Sequence, residues 1–370
     1  MQPHRRTNLV ALLSAAALVL SSRLVLAQAV PRPEPPHGRL VETRYTASSL
    51  AGNLLGDPTE QPVSIYLPPD YEAARSRRYA TVYLLHGYGG KVGDWTTHGY
   101  QGLDLQPAMD ELIASGELPP MIVVVPNGRN AYLGSFFTNS SVTGRWEDAI
   151  ANDLVAFVDG RFRTIPDARS RGIAGHSMGG YGAIMLALDH PETFGSVYAM
   201  SPCCLAIESD MSAENPIWPR VLALKSREEL PKDPETLSDF WTVVFVALSA
   251  ALSPDPQRPP FFADFPYEEK DGRLVPAEPA YSRWRSRMPL YLVEARRTTL
   301  LSLHGLAIDV GDHDDFSHIR RGTRLLSDAL AERDVPHLYE IYAEGDHGNR
   351  IRERLMRAFR FFGERLRTRP

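Results

Sequence analysis

The residues best suited to chemistry lie in the run Ile173-Ala174-Gly175-His176-Ser177-Met178-Gly179-Gly180. Ser177 sits midway between two glycines, after a short apolar stretch and before the apolar, helix-forming run Ala183-Ile184-Met185-Leu186-Ala187-Leu188. This is Gly-x-Ser-x-Gly in a strand–turn–helix setting, which presents a serine hydroxyl on a sharp, strained turn. The flanking positions must lack bulk so that strand and helix approach closely. The chemistry implied is nucleophilic attack by Ser177 on an acyl carbon.

A serine hydroxyl at neutral pH needs a base in hydrogen-bond contact, and the base needs an orienting acid. On this scaffold the chain order is Ser, then Asp or Glu, then His. Downstream of Ser177, His347 lies in the polar, Gly-flanked loop Glu344-Gly345-Asp346-His347-Gly348 after the last strand-like run, and it is the expected base. His190 precedes Pro191 and reads as a helix-end residue, and His337 opens a strand. The acid is expected just after the strand Ala307-Ile308-Asp309-Val310-Gly311, where Asp312, Asp314 and Asp315 compete. Spacing alone leaves the three open. Asp312, His313, Asp314, Asp315 and His318 also have the donor types of a metal site. A triad would use one carboxylate, and the others suit a helix N-terminus, so no metal is expected. The oxyanion of a tetrahedral intermediate needs preorganised N–H donors. One is expected from the backbone of Met178, the other from the glycine-rich loop His86-Gly87-Tyr88-Gly89-Gly90.

These groups need strand ends to hold them. Ala80 to Leu85, Met121 to Val125, Ser170 to Ala174, Ser196 to Met200, Leu303 to Val310 and His337 to Tyr342 read as strands. Most are continuously apolar, and helical patterns at 104–115, 149–161, 325–333 and 350–366 separate them. Strands apolar on both faces predict a mostly parallel central sheet with helices on both sides, and ligands then bind beyond the strands' carboxyl ends. Residues 38–48 and 61–68 predict a leading hairpin. The pattern breaks at about 205–290, a proline-rich insertion whose one helix, 235–252, is apolar nearly all round. It is expected to form a cap that shapes a pocket at the active-site edge. The adjacent Cys203 and Cys204 read as two small buried residues, with a vicinal disulfide as the alternative in an oxidising compartment.

The chain has 370 residues, 43% hydrophobic and 23% charged, with a net charge of −5 and no basic patch, so nucleic acid is not expected as a partner. His4-Arg5-Arg6, the apolar run Leu9 to Leu20 and Val25-Leu26-Ala27 predict a signal peptide over 1–27 and a secreted or periplasmic protein without a stable membrane span. Residues 28–37 read as a Pro-rich lead-in, and 38–370 as a single domain carrying the insertion.

The motifs His86-Gly87-Tyr88-Gly89-Gly90 with Asp94-Trp95, Gly175-His176-Ser177-Met178-Gly179-Gly180, Gly311-Asp312-His313-Asp314 and Gly345-Asp346-His347 resemble the esterase D/antigen 85/feruloyl esterase group of α/β-hydrolases. The resemblance covers about 40–205 and 300–365. It implies the α/β-hydrolase fold and hydrolysis of a small-molecule or polysaccharide-linked ester without a cofactor. It also implies Asp314 as the acid and the backbone of Tyr88 as the second oxyanion donor. Transfer of the acyl group to a sugar or lipid alcohol is the alternative activity, and a non-catalytic exported binding protein the alternative class. Trp95, Phe136 and Trp146 are the candidate substrate contacts, with Phe137 beside them. The insertion departs from compact members of the group.

Overall fold

The computed structural model describes residues 37–369 apart from 98 and 101. The expected signal peptide and nearly all of the lead-in lie outside the described residues. Eight strands build the central sheet: β1 (Arg39–Thr46), β2 (Glu60–Leu67), β3 (Thr81–Leu85), β4 (Ile122–Pro126), β5 (Arg171–His176), β6 (Ser196–Met200), β7 (Gly305–Gly311) and β8 (Leu338–Tyr342). They form one sheet in the order β1-β2-β4-β3-β5-β6-β7-β8. β2 runs antiparallel to β1 and β4, and every other neighbouring pair is parallel.

β3 to β6 are buried along their whole length, as their apolar runs predict. Successive side chains alternate between two cores. Ile173, Val197 and Ile308 face one side, while Ala174, Tyr198 and Ala307 face the other. The helix Leu105–Ala114 and the C-terminal helix Ile351–Arg365 cover the second side through Leu112, Leu355, Phe359 and Phe362. The helix after the elbow, Met178–Asp189, is buried on nearly every side in the first core. This is the α/β-hydrolase architecture.

Two helices begin earlier than their apolar spacing predicts. The one expected at 325–333 spans Ser317–Ala331. Its first turns bury a single large apolar residue, Ile319, beside His318, Gly322 and Thr323, which are too polar or small to register as a hydrophobic stripe. The one expected at 149–161 starts at Trp146 and passes through a π-helical segment, Ala149–Leu154.

The insertion leaves the sheet after β6 and returns at β7. Its helix Leu237–Leu252 starts where the Thr236 hydroxyl accepts the Asp239 N–H at 3.1 Å, an N-cap bond. A helix apolar all round needs cover on every side. Phe245 stacks on Trp218 with ring centroids 4.0 Å apart, and the Trp284 indole N–H bonds the hydroxyl of Ser253 at the helix end. Among the described residues no helix is long and apolar enough to cross a membrane.

Candidate active site

Ser177 joins β5 to the elbow helix with φ 57° and ψ −116°, a backbone conformation that non-glycine residues rarely adopt. Its N–H bonds the carbonyl of Met200 at the end of β6, and its own carbonyl accepts Tyr181 N–H. The turn closes only because its flanks are glycine. A Cβ on Gly175 would lie 2.3 Å from the Gly179 carbonyl, and one on Gly179 2.5 Å from the Leu85 oxygen. Both clashes are with backbone, which cannot rotate away. Gly175→Ala is therefore expected to cost about 1–3 kcal/mol by overpacking, read as a lower urea midpoint. An unchanged midpoint would mean that the elbow has slack.

The structure brings His347 and Asp314 together. His347 Nδ1 lies 2.9 and 3.1 Å from the two Asp314 oxygens, and Asp314 is almost wholly buried. Burial pushes the Asp314 carboxyl up, but the hydrogen bond and charge of His347, with the Phe316 N–H, outweigh it and hold the group below its ordinary value. Asp314 thus stays ionised, and with the Nδ1 proton drawn to it, Nε2 is left free to accept. The other two carboxylates have separate partners. Asp312 binds the Gly345 N–H and His313, and Asp315 accepts the backbone N–H of His347. The acid and base loops pack backbone to backbone, since a Cβ on Gly311 would lie 2.0 Å from the Gly345 oxygen. His318 pairs with Asp210, so the metal-like cluster is divided among distinct contacts. Among the described residues no group of His, Cys, Asp and Glu has the arrangement of a metal site.

The loop after β3 is held by side chains that sequence reasoning did not assign. His86 Nε2 accepts the Gly128 N–H at 2.8 Å, so its proton sits on Nδ1 and is donated to the Gly87 carbonyl. The Tyr100 hydroxyl accepts the Gly87 N–H at 2.6 Å. Among the described residues no protein acceptor takes the Tyr88 N–H. Met178 is the first residue of its helix, where an N–H has no intrahelical partner.

A narrow, mainly apolar pocket opens at Ser177. Phe240, Trp241 and Val244 of the insertion helix form one wall, with Tyr88 and Phe136 on another and Cys203 and Cys204 also lining it. Both cysteines are buried, and their sulfurs lie 2.6 Å apart.

Over residues 58–351 the chain matches the family model "Esterase". The chain belongs to the esterase family. It is 30% identical over 162 residues to an endo-1,4-beta-xylanase/feruloyl esterase of Xylanibacter ruminicola, spanning 43% of this chain and 21% of that protein. It is 33% identical over 140 residues to an esterase of Mycobacterium tuberculosis, spanning 38% of this chain and 28% of that one. The matches thus span less than a third of these relatives' length. A solved ferulic acid esterase superposes with a TM-score of 0.60 at 20% identity, covering 89% of this chain and 98% of that one. An S-formylglutathione hydrolase from Agrobacterium tumefaciens gives 0.60 at 19%, covering 90% and 97%. At these identities the likeness is one of fold.

In this esterase-family chain the aromatic candidates separate. Phe136 lines the pocket, but Trp95 and Trp146 do not. Trp95 is wholly buried on the other side of the sheet against Tyr100, with centroids 4.3 Å apart. Trp146 is wholly buried and donates to the Thr143 carbonyl, and Phe137 fills the space beside Gly128 and Gly182. Each is core because an aromatic next to a motif can point into the sheet as readily as into the cleft. His176 lies over His347 with centroids 4.6 Å apart, its Nε2 on the His347 carbonyl at 2.8 Å. It props the base's loop from below.

Three histidines are buried and neutral. Burial lowers His86, His176 and His318 below the ordinary 6.5, helped at His176 by the charges of His347 and Arg354 and opposed at His318 by Asp210. In the unfolded chain each protonates as the pH falls through about 6.5, so the unfolded state then binds more protons. Stability is expected to fall on acidification from pH 7 to 5, by up to about 1.4 kcal/mol per pH unit per group. His190, raised by its hydrogen bond to Glu147, works the other way, its contribution growing as the pH falls. Urea midpoints across this range check the balance, and a midpoint that rises toward pH 5 contradicts it.

Proposed function

We propose that the chain is an exported serine carboxylic-ester hydrolase that works through an acyl-enzyme on Ser177. The observation that carries the reading is the His347–Asp314 pair, with the His347 ring 4.6 Å by centroids from that of His176, the chain neighbour of a strained Ser177 that lines an apolar pocket. His347 Nε2 takes the Ser177 proton as Oγ bonds to the ester carbonyl carbon, and Asp314 stabilises the resulting imidazolium. The oxygen that gains charge faces the N–H groups of Tyr88 and Met178. Collapse of the tetrahedral intermediate breaks the bond to the alcohol, which leaves with the proton from His347. Water, deprotonated by His347, then repeats the sequence and releases the acid.

The relatives whose printed names include feruloyl esterase and acetyl esterase support an ester as substrate. Export rests on the basic start, apolar run and small-residue site within residues 1–27. The test is an activity screen across ester chain length and hydroxycinnamate esters. Hydrolysis that depends on Ser177 is expected, with a chain-length optimum that lengthens in Phe240→Ala as the pocket wall is cut back. A folded protein inert toward every ester would end the reading. An optimum unmoved in Phe240→Ala would remove the insertion from the pocket's role.

A further inference from the structure

One buried imidazole in the pocket has no part in the mechanism above. His318 lines the same pocket as Ser177, on the second residue of the helix Ser317–Ala331. Its Nδ1 lies 3.2 Å from Asp210 Oδ2, and Asp210 also accepts the His318 backbone N–H at 3.1 Å and the Ser317 hydroxyl at 2.7 Å. Asp210 therefore caps the helix start, and it also holds the Nδ1 proton. Burial outweighs the Asp210 charge and keeps the ring neutral. A neutral imidazole protonated on Nδ1 carries a lone pair on Nε2. Nε2 has no hydrogen-bond partner among the described residues. The ring is edged by Trp241 and Phe316, 5.4 and 6.0 Å away by centroids, so apolar surface surrounds a single oriented acceptor.

We infer that His318 is a specificity-determining residue whose Nε2 accepts a hydrogen bond from a hydroxyl on the acyl group that fills this pocket. The inference rests on Ser177 being the nucleophile of an ester hydrolase. The acyl side is the one to place here, because the alcohol must leave before water can enter. A narrow pocket suits the part that stays bound. The alcohol has a more open cleft that shares Tyr88 and Phe240 with this pocket and is bordered by the charged Asp94, Arg129 and Glu235. A site with a buried acceptor discriminates against the analogue that lacks the donor, because that analogue leaves the acceptor desolvated and unpaired.

The experiment measures kcat/KM for paired 4-nitrophenyl esters, 3-hydroxybutanoate against butanoate and 6-hydroxyhexanoate against hexanoate. The unaltered protein is expected to favour the hydroxylated member of at least one pair by about tenfold or more. His318→Phe keeps a ring without an acceptor, and the ratio is expected to fall to about one or below. His318→Gln restores an acceptor and is expected to recover part of the preference. A merely structural role lowers both members of a pair together and leaves the ratio alone. If His318→Phe does not fold, the unaltered protein and His318→Gln still decide. A ratio near one in both pairs, alongside Ser177-dependent hydrolysis, overturns the inference, as does a preference that survives in His318→Phe. Failure of the folded protein to cleave any of the four esters overturns the hydrolase reading beneath it.

Discussion

On the proposed mechanism, Ser177→Ala is expected to lower kcat for a short activated ester by at least about 10⁴-fold, because removing a nucleophile that acts as a unit with its base forfeits the whole covalent route. What remains is catalysis by the oxyanion donors and binding, of order 10³–10⁴ over water. The fold is expected to be indifferent to the change. Ser177 holds φ 57°, which costs a residue with a Cβ about 1–3 kcal/mol whatever lies beyond that carbon. Alanine keeps the Cβ and so keeps the strain, and the urea midpoint should barely move. Ser177→Gly sheds the Cβ as well. It is expected to be equally inactive yet no less stable, which would identify the strain as stability given up for the exposed hydroxyl. Covalent labelling by a fluorophosphonate should be lost in both variants. Retained labelling in Ser177→Ala would place the nucleophile elsewhere, and a large fall in its midpoint would make loss of activity uninformative about chemistry.

The features legible in the sequence are those whose physics is local. β3, β4, β5 and β6 are apolar runs because both faces of each are buried, and burial on both faces requires no knowledge of the partner strand. The elbow is legible because Gly175 answers a clash with the Gly179 backbone inside the turn itself, while Gly179 also clears the Leu85 oxygen of β3. The choice among Asp312, Asp314 and Asp315 is not local. All three leave one turn, and only the packing of Gly311 on Gly345 decides which carboxylate meets the His347 ring. The pocket is likewise invisible along the chain. The helix Leu237–Leu252 is apolar on every side, so the sequence predicts a buried helix without showing that Phe240, Trp241 and Val244 are the side turned toward Ser177. His318 and Asp210 belong to segments on opposite sides of β7, and neither residue alone signals the other. Trp95 and Trp146 mislead for the converse reason, since proximity to a motif in sequence does not fix the face of the sheet on which a ring packs.

The largest effect on stability is expected at Arg354. The C-terminal helix reads as one apolar stripe through Ile351, Leu355, Phe359 and Phe362, yet Arg354 lies among these residues and is 1% exposed. Its guanidinium meets Asp309 of β7, with Nε at 3.0 Å and Nη2 at 2.5 Å from Oδ1, and Nη2 also donates to the Ser201 hydroxyl at 2.8 Å. Ser201 follows β6 directly, and its N–H bonds the Asp309 carbonyl. One buried ion pair thus clamps the ends of β6 and β7, between the strand whose Met200 carbonyl anchors Ser177 and the strand that leads into the Asp314 loop. Burial pushes the Asp309 carboxyl up, and Arg354 draws it back only in part. Arg354→Met leaves that carboxyl desolvated and unpaired, at a cost of about 3–5 kcal/mol. Asp309→Leu strands the guanidinium at a similar cost. Joined in one chain the two changes leave no buried charge, and the pair is expected to recover at least half of either single loss, because apolar replacement of a whole buried ion pair is often neutral. Urea midpoints of the two single variants and the double variant close the cycle. Activity in the double variant is the separate reading. If the clamp only stabilises, kcat returns with the midpoint. If it also aims the loops that carry Ser177 and Asp314, the midpoint recovers and kcat stays low, while single losses below about 1 kcal/mol would show that the pair does not carry the energy assigned to a buried charge.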